Sequence, residues 1–170
     1  ETGDDLQLEQ LTHQIISANL QNAIMVDITA SNAVAATYEQ FLRKSISVVA
    51  CNKIAASSSM KNYESLKNLA RSYNAKFLFE TNVGAALPII STIKDLVQSG
   101  DAINRIDAVL SGTLNFVFNN YDGSQSFSSV VRQAQAEGYT EPDPRLDLSG
   151  VDIMRKILIL ARESGSVIEM

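Results

Sequence analysis

Apolar residues in the first hundred positions recur in short blocks whose period switches between helix and strand. Leu8, Leu11, Ile15 and Ile16, closed by Leu20, fall at three- and four-residue intervals and predict a helix over residues 6–20. The run Ala23–Ile28 (AIMVDI) is short and apolar, carries Asp27 near its end and gives way to the turn-like TASN. It predicts a strand. Ala33–Arg43 predicts a helix with Val34, Tyr38, Phe41 and Leu42 inward. Ile46–Ala50 (ISVVA) is a continuous β-branched run of the kind found in a central parallel strand, and it ends at Asn52–Lys53. Ser57–Ser59 can cap a helix that reaches about Tyr73, with Tyr63, Leu66, Leu69 and Ala70 on its buried face. Lys76–Glu80 (KFLFE) predicts a third strand, followed by Thr81–Gly84. Pro88 sits near the first turn of a helix that reaches Val97 and stops at Gly100. Strands alternating with helices of this length imply βαβ units, a parallel sheet covered by helices on both faces, and right-handed crossovers. Three strands make a small sheet of this kind, so the sheet is expected to be part of a larger one.

After Gly100 the pattern changes. Ile103–Leu110 (INRIDAVL) alternates, which predicts a half-buried strand in a different sheet. Ser111–Thr113 reads as a tight turn, Leu114–Tyr121 as a short helix, Asp122–Gln125 as a polar loop and Ser126–Glu137 as a helix stopped by Gly138. The stretch Gly138–Arg162 (GYTEPDPRLDLSGVDIMRKILILAR) begins as a loop, because Pro142 and Pro144 remove amide donors and restrict the residues before them. Ser149 is placed as an N-cap, with Asp152 three residues later where a capping box has its acid. Ile153, Ile157, Leu158 and Ala161 then share one helical face. A second domain is expected to begin between Gly84 and Gly100. Residues 1–5 are polar and acidic and read as a frayed end or a boundary.

The 170 residues suffice for one well-cored domain, or one domain and part of another. A net charge of −5 without a basic stripe argues against nucleic acid as a partner. Apolar runs such as Ile157–Ala161 are too short to span a bilayer, so no membrane partner is expected. Cys51 is the single cysteine, and its position in an apolar run predicts a buried, reduced thiol, which fits a cytoplasmic setting. With one histidine, His13, the chain has no plausible zinc set.

Candidate chemistry gathers in two places. Asp152 and Lys156 are one helical turn apart on the same side of their helix, and Glu141, Asp143 and Asp147 lie in the segment that feeds it. Spacing allows either a charged site or mere capping with an i,i+4 ion pair of a few tenths of a kcal/mol. In an open parallel sheet, ligands bind beyond the C-terminal strand ends. Those ends carry Asp27–Thr29, Asn52–Lys53 and Glu80–Gly84, which should lie side by side. A lysine directly after a buried strand is costly unless it faces a cleft. Glu80 needs partners too: backbone amides, Lys53 or a bound cation. No GxGxxG motif occurs, so composition and periodicity alone identify no dinucleotide site.

The motifs ACNKIA, FETNVGAALP, LSGTLNFVFN and GYTEPDPRLDLSGVDIMRKILILARE together resemble homoserine dehydrogenase, in the family's order and over residues 6–170. DITASNAVA, SSSM and LILARE resemble especially the dehydrogenase portion of the bifunctional aspartokinase–homoserine dehydrogenases. The resemblance implies an α/β chain: residues 1–87 as the C-terminal part of a Rossmann-type NAD(P)-binding domain, and residues 88–170 as the start of an α+β catalytic and dimerisation domain. It implies that the family's glycine-rich turn lies upstream and that this chain is a middle piece, inactive alone. The implied reaction interconverts aspartate semialdehyde and homoserine with NADPH or NADH, on the route to threonine, methionine and isoleucine. A homodimer and a fused aspartokinase domain are implied partners. By resemblance, Lys156 is the catalytic lysine, Lys53 the second lysine at the cofactor–substrate junction, and Asp152 the acid that binds the substrate amino group. Glu141 and Asp147 assist Asp152, and Gly112 and Thr113 contact substrate. Thr29, Asn52, Lys53 and Gly84 lie on the cofactor side. Glu80 with the carbonyls of Val83, Ala85 and Leu87 resembles a monovalent cation site, usually sodium. Departures are Ala86 for the usual glycine of VGAGLP, Leu146 for a common aspartate, and the missing second lysine after Asn52–Lys53. A negative φ at Ala86 would absorb the first of these.

Two other classes compete. One is a non-catalytic piece whose property is oligomer formation. The other is an effector-binding module, which would need a complete pocket.

Overall fold

A computed structural model of the chain describes residues 7–169, so the reading of residues 1–5 lies outside the described part. The first half is a helix α1 (Leu8–Ser17), strand β1 (Ile24–Asp27), short helices α2 (Asn32–Ala35) and α3 (Tyr38–Leu42), strand β2 (Ser47–Ala50), helix α4 (Met60–Ser72) and a two-residue strand β3 (Phe77–Leu78). The strands form one parallel sheet in the order β1-β2-β3, with Val26 opposite Val49 and Val49 opposite Leu78. The helix expected over 33–43 is split. The Thr37 hydroxyl donates to the Val34 carbonyl at 2.7 Å, diverting it from the helical ladder.

One sheet face packs its side chains into the main core, where Val48, Ala50 and Phe77 meet Tyr38, Leu42, Tyr63 and Leu66. The expectation that helices cover both faces fails among the described residues. On the opposite face Ile24, Val26 and Leu78 remain 62%, 61% and 43% exposed. The alternation of the pleat sends Asp27 and Met25 inward and Ile24 and Val26 outward, and no helix is placed over them.

The chain then turns through a 3-10 segment (Glu80–Asn82) into α5 (Ile89–Gln98). Residues 101–111 have no regular structure, which corrects the expected strand over Ile103–Leu110. A strand requires a neighbour for its amides and carbonyls, and no described segment pairs with this one. Helices α6 (Gly112–Asn120) and α7 (Phe127–Ala136) form a second small core around Val117, Val130 and Ala134. The segment expected as a loop contains helix α8 (Pro144–Leu148): the Asp143 side chain caps it by accepting from the Arg145 amide, and Pro144 fills the first position. Helix α9 (Val151–Glu163) follows, with Gly150 as its N-cap in the left-handed region at φ 71°. Ser149 therefore ends α8 instead of opening α9 by a capping box. Ile159 and Leu160 of α9 join the core of the first half, beside Ile90 and Ile93 of α5. That packing brings the second half of the chain over the strand ends. No helix among the described residues is long and apolar enough to cross a membrane.

Candidate active site

The strand ends meet as expected. Asp27, 1% exposed at the end of β1, accepts from the Thr29 amide at 2.7 Å, from the Tyr38 hydroxyl and from Asn52 Nδ2 at 3.1 Å. Burial pushes its carboxyl up, but these hydrogen bonds outweigh burial and hold it below its ordinary value. Burial, and then the same carboxylate, push the Tyr38 hydroxyl far above its ordinary range. Asn52 also donates to the Ser31 carbonyl at 3.0 Å and accepts from the Ile54 amide at 3.0 Å. Both its amide hydrogens are thus engaged within the protein, so its side chain holds the turn and has no donor left for a ligand. Thr29 is exposed, and its hydroxyl accepts from the Ser31 amide at 3.1 Å.

Lys53 leaves this turn toward α9. Its ammonium lies 3.3 Å from Asp152 Oδ1, while Lys156 lies 2.7 Å from Asp152 Oδ2. The i,i+4 pair on the helix therefore forms, yet it is only half of the arrangement. One carboxylate bridges two lysines from opposite halves of the chain. Lys156 Nζ also donates to the Leu110 carbonyl at 2.8 Å. The lysines are 28% and 19% exposed and Asp152 is 52% exposed, so the cluster is open to a small molecule without being bathed in water. Partial burial pushes the Asp152 carboxyl up; the hydrogen bond from Lys156 and the charges of Lys53 and Lys156 pull it further down, to a net value below the ordinary one.

The four acids do not converge on Lys156. Asp143 pairs with Arg145 at 2.8 Å on the surface, and Arg145 holds its carboxyl below the ordinary value. Asp147 instead accepts from the Glu141 amide at 2.9 Å, and the Thr113 hydroxyl, which has one hydrogen, lies between Asp147 Oδ1 at 2.8 Å and the Tyr139 carbonyl and shares it between them. Thr113 and Gly112 open α6, so Asp147 ties the starts of α6 and the acidic segment together. The Glu141 side chain is exposed nearby.

Glu80 takes the backbone alternative. Its two oxygens accept from the amides of Ile90 and Ser91 at 2.7 and 2.8 Å, capping α5. The intervening loop holds Gly84 at φ 77° and Ala85 at φ 47°, while Ala86 is not in the left-handed region, so the Ala86 departure is absorbed without strain. The Leu87 carbonyl accepts from the Ile89 amide at 2.9 Å.

Sequence reasoning missed a second charged cluster, at the far end of α9. Glu163, its side chain 1% exposed, accepts from the Tyr63 hydroxyl and lies 3.0 Å from Lys67 and 3.6 Å from Lys94. Arg162 donates to the carbonyls of Ala56, Ser58 and Ile168. The available signal was their placement four residues after Leu158 and Ile159, on the buried stripe. A mostly apolar cleft of about 660 Å³ between residues 106–110 and α9 carries none of the charged groups described above.

The family model for homoserine dehydrogenase matches residues 88–170, and that for the homoserine dehydrogenase NAD binding domain matches residues 3–80. The chain is 45% identical over 171 residues to the chloroplastic bifunctional aspartokinase/homoserine dehydrogenase 2 of Arabidopsis thaliana, covering 100% of this chain and 19% of that protein. It is 45% identical over 152 residues to a homoserine dehydrogenase of Schizosaccharomyces pombe, covering 86% of this chain and 40% of that protein. A hyperthermophilic archaeal homoserine dehydrogenase in complex with NADPH superposes with a TM-score of 0.79 at 28% identity, over 98% of this chain and 49% of that one. The chain thus spans about a fifth of the plant relative's length and two-fifths of the fungal relative's.

Proposed function

The chain belongs to the homoserine dehydrogenase family, and we propose that in the whole protein it serves the NAD(P)-dependent interconversion of L-homoserine and L-aspartate 4-semialdehyde. The observation that carries this reading is Asp152 held between Lys53 and Lys156. Bound NADPH or NADH supplies the hydride. An ammonium has three donors, and two of those on Lys156 go to Asp152 and Leu110. The third is free for the aldehyde oxygen. There it stabilises the negative charge that develops during reduction and delivers the proton, and it receives that proton back in the reverse direction. Asp152 orients both lysines and, with Asp147 and Glu141, attracts the substrate ammonium. Asp147 is suited to this because each of its oxygens keeps a lone pair beyond the bond it already accepts. The Gly112–Thr113 start of α6 frames the substrate from the other side.

Thr29, Lys53 and the Gly84 loop fit the nicotinamide end of the cofactor, with Asn52 acting through the turn it holds. The sequence offers no glycine-rich turn for a pyrophosphate. Each Glu80 oxygen keeps a lone pair beyond the α5 amide it accepts, as does the Leu87 carbonyl, so with the carbonyls of Val83 and Ala85 they offer oxygen donors to a hard cation, and sodium belongs to this reading. Loss of any sodium dependence in Glu80→Gln checks that site. A division at residues 87/88, a homodimer, a fused aspartokinase domain and a cytoplasmic setting, on the route to threonine, methionine and isoleucine, complete the proposal. A monomeric mass for the full-length protein by light scattering would remove the dimer.

The deciding experiment is steady-state NADPH oxidation by the full-length protein with aspartate semialdehyde, alongside Lys156→Ala and Lys53→Ala. Lys156→Ala is expected to fold, to bind cofactor and to lose turnover about a hundredfold or more. Loss of an ion pair alone would cost about 0.3–0.5 kcal/mol of stability and little rate. No hydride transfer by the unaltered protein refutes the reading. Near-normal turnover of Lys156→Ala with an inactive Lys53→Ala would transfer the principal role to Lys53.

A further inference from the structure

Asp27 has no place in the chemistry above, yet it is among the most buried charged groups in the first half of the chain. A carboxylate out of water is costly unless its lone pairs are filled, and here three donors fill them. What those donors belong to is informative. Oδ1 holds the amide of Thr29 in the loop after β1. Oδ2 holds the side-chain amide of Asn52 in the loop after β2. Asn52 in turn accepts from the Ile54 amide, so the residues on both sides of Lys53 are fixed through one side chain. The Lys53 carbonyl is held as well, by the amide and hydroxyl of Ser57 at 2.9 and 2.8 Å. With its backbone pinned on every side, Lys53 projects toward Asp152.

We propose that Asp27 is the positioning residue for Lys53: through Asn52 it sets the turn that presents the Lys53 ammonium to Asp152, and through Thr29 it couples that turn to the neighbouring strand-end loop. This inference rests on the reading of Lys53, Asp152 and Lys156 as the reacting centre. A carboxylate is required because two of its three partners are N–H donors and the third, Tyr38, donates its hydroxyl. An asparagine of the same shape would turn an N–H₂ toward at least one donor.

The test uses the full-length protein with Asp27→Asn, and has two arms. In the first, lysines are acylated in a brief pulse and the extent at each is read by mass spectrometry. Lys53 labelling is expected to rise several-fold while Lys67 and Lys94, held by Glu163, stay unchanged. In the second, turnover is measured in a double-mutant cycle with Lys53→Ala. Asp27→Asn alone is expected to lower kcat roughly tenfold to a hundredfold, as a misplaced reacting group does. In the Lys53→Ala background it lowers kcat no further. A purely structural Asp27 would loosen all lysines alike and lower kcat equally in both backgrounds, and either result overturns the proposal. Should Asp27→Asn fail to fold, Asn52→Ala cuts the same link while leaving the Thr29 and Tyr38 bonds, and the same pair of outcomes applies. A native protein without homoserine dehydrogenase turnover refutes the functional reading, whereas unchanged Lys53 labelling refutes this one.

Discussion

At the scale of single residues, Asp152 is the group on which most of the site depends. Removing its charge leaves Lys53 and Lys156 facing each other without a counter-ion and takes away one proposed anchor for the substrate ammonium. Asp152→Asn should therefore lower kcat/KM about tenfold or more. Its folded carboxyl is held below the ordinary aspartate value of 3.8. A depressed acid adds stability that is fully present above the ordinary value and is lost as pH falls through the lowered one. Asp152 stays ionised across neutral and mildly acidic pH, so any acid limb between about pH 5 and 7 belongs to another group. The measurement is the pH profile of kcat/KM for Asp152→Asn. A limb in that range that vanishes with the substitution would contradict the assignment. Lys53, Asp152 and Lys156 were all legible in the sequence, because a charge after a buried strand and an i,i+4 pair are visible in spacing. Their meeting was not visible in spacing, since nothing local relates residue 53 to residue 152. Only the family resemblance pointed to it. The Asp27–Asn52 link was equally hidden: the sequence shows an acid at a strand end, but the bond spans two loops of a parallel sheet.

At the scale of elements, the parallel strands and the longer helices followed their hydrophobic periods, and the failures have local causes. Helix α8 was hidden by two prolines, although Asp143–Pro144 is itself a helix start. Segment 103–110 alternates as a strand does but finds no described neighbour to pair with. Helix α9 carries the site at one end and an ionic anchor at the other, and the anchor sets how the helix lies on the first half. Glu163 links it to Tyr63 and Lys67 of α4 and to Lys94 of α5. Its removal leaves one buried acceptor fewer, while the two lysines, each 27% exposed, can turn to solvent. Glu163→Ala should cost about 2–4 kcal/mol, less than an unrelieved buried charge. Glu163→Gln, which can still accept from Tyr63, should cost less. Denaturant midpoints for both variants check this order, and an unchanged midpoint for Glu163→Ala would show that the apolar contacts of Ile159 and Leu160 hold the helix alone.

At the scale of the molecule, the two faces of the sheet differ among the described residues: one carries the core, and the other presents Ile24, Val26 and Leu78 to solvent. The site is divided in the same way. The strand ends and α9 bring together Lys53, Asp152 and Lys156, the groups proposed to handle the reacting carbon, whereas a dinucleotide draws much of its affinity from a pyrophosphate seated on amides of a glycine-rich turn and the helix after it. These 170 residues contain no such turn. A nicotinamide bound only at Thr29, Lys53 and the Gly84 loop keeps the ordering cost of binding but forgoes the phosphate contacts that offset it. The chain of residues 1–170 should accordingly bind NADPH much more weakly than the full-length protein, beyond the low-micromolar range, even with Lys53 and Lys156 in place. Isothermal titration of both proteins with NADPH measures the difference directly, with circular dichroism confirming that the shorter one retains its helices. Low-micromolar affinity in the shorter chain would mean that the strand ends hold the cofactor without a glycine-rich turn. The open sheet face and the absent motif would then have to be explained separately.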